Sequence, residues 1–176
     1  MLSFVSDVVR QYSISPFCVR AAVITYSSTA RAEILLTSYS SVNSLVQAIG
    51  QLPLRGGSSN LATALNLLLS QVFTGSVVRS NAARFAIIIT DQLQSSSLIT
   101  TAASSVRSAG ITLIGVGIIG PGRVSFNYLS GLASNGWAIQ VSDYSRLISE
   151  ARSTIVEQYA CSPYTTTTPA GPSMFS

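Results

Sequence analysis

The sequence contains no histidine and no lysine. Without an imidazole, Ser-His-Asp triads, histidine-containing zinc sites and histidine general bases are all excluded. The ten basic residues are arginines scattered singly between Arg10 and Arg152. No basic stripe interleaved with aromatics forms, so the footprint of a nucleic-acid binder is missing. Only six residues are acidic, and charged residues make up 9% of the chain, against about 25% in ordinary soluble domains. Solubility therefore rests on Ser, Thr, Asn and Gln. No apolar run approaches the ~20 residues needed to cross a bilayer. The opening MLSFVSDVVRQYS puts Asp7 where a signal peptide would be apolar and has no basic n-region, so no export signal is read there. Two cysteines, Cys18 and Cys161, permit one disulfide without demanding it.

What is present is apolar and periodic. Hydrophobic residues make up 47% of 176 positions, enough for one domain with a core of ordinary size. Helical spacing runs through 2–12, 41–52, 59–73, 97–110, 124–134 and 143–160. Strand-type runs occupy 18–27, 30–39, 85–90, 111–118 and 137–141. The first two strands are close enough to form a hairpin around Ser27–Thr29. Helix alternating with buried strand predicts an α/β layer fold with a mostly parallel, doubly wound sheet. The domain is expected over 1–161. The remainder, 162–176, is a Thr/Pro/Ser-rich tail with little to bury, read as a disordered linker.

In such sheets ligands sit beyond the carboxyl ends of the strands. The stretch FAIIITD ends a buried strand on Asp91, one of the few acids in the chain. The stretch RGGSSNLATAL supplies a Gly56-Gly57 turn, then Ser58, Ser59 and Asn60 at the mouth of a helix. Hydroxyls facing a carboxylate are hard-oxygen donors, suited to Mg²⁺. The plainer alternative is that one of Ser58, Ser59 and Asn60 caps the helix and that Asp91 caps its own turn. On local chemistry both readings stand. GVGIIG (115–120), with Asp143 some twenty residues on, formally fits a dinucleotide fingerprint. Pro121-Gly122-Arg123 intervenes before any helix, so the pyrophosphate would have no helix N-terminus to sit on. Asp143 reads better as a helix cap, and no enzyme activity is expected.

The ordered segments FVSDVVRQYS, VRAAVITYSSTARAEILLTSY, LVQAIGQLPLRGGSSNLATAL, AARFAIIITD, VRSAGITLIGVGI and LASNGWAIQVSDYSRLI together resemble a von Willebrand factor type A domain of the extracellular-matrix, collagen-associated branch. The resemblance covers about 2–161. It implies a Rossmann-like sheet with one antiparallel edge strand and a divalent-metal adhesion site, for Mg²⁺ or Mn²⁺, on the upper rim. Ser59 matches the family's site threonine and Asp91 its site aspartate. Gly57, Ser58, Asn60 and Gln92 complete the implied ligand-binding rim, with Gln92 where the family usually has glycine. The family's first strand and its D-x-S-x-S loop would precede Leu2. That strand lies centrally, between 18–26 and 85–90, so the chain reads as an N-terminally truncated version of the fold. The resemblance further implies an extracellular module that binds a matrix or collagen-like protein, beside neighbouring modules of a longer chain. A metal-free spacer role is the alternative. Family members often close the module with a cysteine in the place of Cys161, and Cys18 is the implied substitute partner.

Overall fold

The computed structural model describes residues 1–53, 56–93, 95–118 and 125–141. The expected last helix (143–160), Asp143, Cys161 and the tail (162–176) lie outside the described residues.

Helix α1 (Leu2–Val9) buries Phe4, Val8 and Val9 along one face. Strands β1 (Val23–Tyr26) and β2 (Ala30–Ile34) form the expected antiparallel hairpin. Helices α2 (Val42–Gly50) and α3 (Leu61–Leu67) follow, and α3 loosens into a wider π turn over Leu68–Val72. Strand β3 (Phe85–Thr90), helix α4 (Ser97–Ser108), strand β4 (Thr112–Ile118), helix α5 (Phe126–Leu132) and strand β5 (Ala138–Val141) complete the described chain. Strands β3, β4 and β5 are parallel, with β4 in the middle. This is the doubly wound α/β arrangement the periodicities predict, with β2 as its antiparallel edge strand.

Several elements are shorter than their apolar runs. The strand read over 18–27 pairs only from Val23, because the residues before it are tied to loops instead. Val19 bridges Ile14, the Cys18 amide donates to Ser15 Oγ (3.0 Å), and the Arg79 guanidinium donates to the Cys18 carbonyl (2.6 Å). The Arg20 guanidinium donates to the Val77 carbonyl (3.0 Å). The second strand stops at Ile34, where Leu35 and Ser38 close a turn on each other.

Alternation sorts the strand residues onto two faces. Val23, Phe85, Ile87 and Ile89 pack with α1 and α2 around Phe4, Leu45 and Ile49. Ile24, Tyr26, Ala86 and Ile88 pack with α3, α4 and α5 around Leu65, Val106 and Leu129. Strands β1 and β3 thus feed the same two half-cores and lie in one layer. They are not paired: the layer consists of a two-stranded sheet and a separate three-stranded one.

Candidate functional site

Strand β3 delivers Asp91 to the carboxyl-end rim, as its apolar run requires. The turn beyond it is closed by Thr90, whose hydroxyl donates to the Gln92 carbonyl (2.7 Å) while the Gln92 amide donates back to it (3.3 Å). Thr90 is buried and Leu93 anchors the far side of the turn, leaving Gln92 exposed and Asp91 half-buried.

The second loop is held against the β1–β2 turn. The Asn60 amide donates to the Ser27 carbonyl (2.8 Å). Gly57 has φ +128°, a backbone conformation that favours glycine, and a Cβ there would also run into Ser28 Oγ. Asn60 caps α3, its side-chain oxygen accepting from the Thr63 amide (3.2 Å). That settles which of the three polar residues is the cap and leaves the serines without that duty. Ser58 is exposed. Ser59 Oγ is fully buried with no partner at hydrogen-bonding geometry. A buried hydroxyl left unsatisfied costs about 1–3 kcal/mol, so this atom is open to a ligand or to the neighbouring Tyr26 phenol, on whose proton it acts.

Tyr26, to which the sequence alone assigns no role at the rim, is half-buried at the end of β1. Its hydroxyl donates to the Ile89 carbonyl (3.2 Å), crossing from the end of β1 to the end of β3. Burial pushes this phenol above its ordinary 10.0. The nearby Asp91 carboxylate adds to the rise, and the side chains of Thr90 and Ser59 oppose it. Tyr26 therefore marks the point where the two loops meet, acted on by Ser59 from one loop and Asp91 from the other. The available signal was its place as the last residue of a strand pointing at this rim.

The donors gathered here are hard oxygens: one carboxylate and the Ser59 and Thr90 hydroxyls. Their chemistry fits Mg²⁺ or Mn²⁺, and the orphaned Ser59 oxygen fits a ligand position. Their number falls short of six. Among the described residues no three His, Cys, Asp or Glu side chains converge. Cys18, at the opposite end of the layer, is disulfide-bonded. The dinucleotide fingerprint has a packing explanation instead: a Cβ on Gly115 would lie 2.7 Å from Leu129 Cγ, so this glycine lets α5 sit down on β4.

The sequence pattern of the von Willebrand factor type A domain matches residues 1–153. Collagen alpha-1(XII) chain of Notophthalmus viridescens is 31% identical over 82% of this chain and 16% of its own length. Human Matrilin-3 is 31% identical over 66% of this chain and 24% of its own length. The chain thus spans a quarter or less of these relatives. Among solved structures, proximal thread matrix protein 1 from the mussel byssus superposes with a TM-score of 0.79 at 21% identity. That match covers 90% of this chain and 40% of that one. A second structure of the same protein, with a zinc-occupied MIDAS motif, gives 0.78 at 17% identity over 89% and 41% of the two chains. Residues 1–153 of this chain belong to the von Willebrand factor type A domain family.

Proposed function

We propose that this domain is an extracellular protein-interaction module that binds a matrix or collagen-like ligand at the rim carrying Gly57, Ser58, Ser59, Asn60, Asp91 and Gln92. The observation that carries this reading is the buried Ser59 hydroxyl, without a hydrogen-bond partner among the described residues, at a point where Ser59 and Asp91 both act on Tyr26. In one mode a divalent cation, Mg²⁺ or Mn²⁺, sits between these oxygens and a carboxylate of the ligand completes its shell. The single carboxylate among the described rim residues favours a second mode, in which the ligand's own polar groups satisfy Ser59 without metal. The matrix relatives support the extracellular location, and multidomain neighbours fit the small share of them that this chain spans. Cys18, disulfide-bonded, pairs in this reading with Cys161.

The test is retention on immobilised triple-helical collagen, with Mg²⁺ or with chelator, for the native chain and Asp91→Ala. Loss of binding in Asp91→Ala supports the rim, and loss in chelator assigns the metal mode. Equal binding by both proteins sinks the rim as the contact surface.

A further inference from the structure

Arginines that are scattered along the sequence are gathered by the topology. The amino ends of β1, β3, β4 and β5 lie together, at the end of the layer opposite the rim. The segments leading into these strands are 10–22, 73–84, 107–112 and 132–137. They carry Arg10, Arg20, Arg79, Arg84 and Arg107, five of the ten arginines, and no acidic residue. Asp7, three positions back on α1, offsets Arg10, and Glu33 on β2 accepts from the Thr25 hydroxyl (2.8 Å). The other four arginines are half-buried. Arg20 and Arg79 tie the approach to β1, donating to the carbonyls of Val77 and of Pro16 and Cys18. Arg107 donates to the Leu132 carbonyl. Arg84 reaches the same α4–β4 turn, where a Cβ on Gly110 would lie 3.1 Å from its Nη2. Arg107 also lines an open polar cleft of about 530 Å³ with Gly110, Thr112, Ser134 and Asn135. A carbonyl occupies one of a guanidinium's five N–H donors and neutralises none of its charge. Among the described residues no carboxylate pairs with these four.

From this we infer that the amino end of the layer binds a sulfated polysaccharide through Arg20, Arg79, Arg84 and Arg107. A guanidinium fork matches the paired oxygens of a sulfate group. Forks already held by carbonyls lose less freedom on binding than free side chains do. The four arginines form two pairs, one ahead of β1 and one at the α4–β4 turn, with the amino end of β3 between them. A single small anion cannot reach both pairs, whereas a polymer with repeating anionic groups can. The cleft beside Arg107 presents Thr112, Ser134 and Asn135, polar side chains suited to sugar hydroxyls. Nucleic acid is a poorer fit, since single strands need a series of stacking aromatics and Phe17 is the one exposed aromatic in these segments. Cys18 is disulfide-bonded, as in proteins of oxidising compartments, where the abundant extended polyanions are sulfated polysaccharides. The inference shares the extracellular location with the proposed function and is independent of the rim.

Binding of the full chain to immobilised heparin tests this, with desulfated heparin, which keeps its carboxylates, as the control. Affinity should fall about tenfold or more on desulfation, and by a similar factor in Arg20→Gln/Arg79→Gln and in Arg84→Gln/Arg107→Gln. Arg31→Gln, which removes an exposed arginine of β2 near the other end, should change it less than about twofold. These arginines also hold loops, so a second measurement uses the native chain alone. Heparin should shield Arg20, Arg79, Arg84 and Arg107 from modification by phenylglyoxal and leave Arg31 reactive, as read by peptide mass mapping. Equal binding of desulfated heparin overturns the inference, as does shielding that misses these four or an equal loss in Arg31→Gln. Loss of heparin binding in chelator also overturns it, by moving the contact to a metal at the rim. Poly-glutamate or single-stranded DNA competing as strongly as free heparin would assign the face to an acidic protein or a nucleic acid, and either result overturns the assignment to sulfated sugar.

Discussion

At the scale of single residues, the rim makes opposite demands on Ser59. Its buried hydroxyl is unsatisfied in the chain alone, so Ser59→Ala should raise stability in chelator by about 1 kcal/mol, or ~2–4 °C in Tm. The same variant should bind ligand at the rim less well. A loss of stability in the calorimeter would mean that the hydroxyl already has a partner in solution. Tyr26 sets a second test. A phenol held above 10.0 in the folded chain keeps its proton where the unfolded chain has lost it. The folded state then holds more protons, so its stability is fully present below pH 10 and falls as pH rises beyond it. Tyr26→Phe should cost about 0.5–1.5 kcal/mol near neutrality for the lost bond to Ile89. It should also flatten the decline above pH 10, which denaturant titrations across pH will read.

At the scale of elements, legibility followed the strength of the periodic signal. Strands β3 and β4 have unbroken apolar runs, and the structure places them over the lengths read from the sequence. The hairpin β1–β2 was placed but overdrawn at its outer ends. Tertiary hydrogen bonds from Arg20 and Arg79 claim the residues before Val23, and such long-range bonds leave no local pattern. Asp91 was found because a carboxylate at the end of a buried strand is conspicuous. Tyr26 was not, since its role depends on a bond across 63 positions of sequence. Gly115 was visible only as part of a misleading motif. Its function is the contact with Leu129, so Gly115→Val should destabilise by about 1–3 kcal/mol through overpacking between β4 and α5. A chemical melt that leaves Gly115→Val unchanged would show that α5 can retreat from the sheet.

At the scale of the whole molecule, the disulfide at Cys18 constrains a chain in which charged residues make up only 9% of positions. Reduction should lower the unfolding free energy by about 2–4 kcal/mol, and Cys18→Ser should reproduce the reduced melt and lose its response to reductant. Mapping of a non-reduced digest should show Cys18 linked to the Cys161 peptide. Reductant without effect on the melt would mean that the bond closes nothing that matters to folding.

The division of the layer into two sheets also has a mechanical meaning. Adjacent strands loaded along their length resist through many main-chain hydrogen bonds acting together, as β3, β4 and β5 do. Between β1 and β3 the described bridge is the Tyr26 hydroxyl, with side-chain packing above and below. Tension drawn from the hairpin towards β5 would therefore open this seam first, at lower force than peeling β4 from either neighbour.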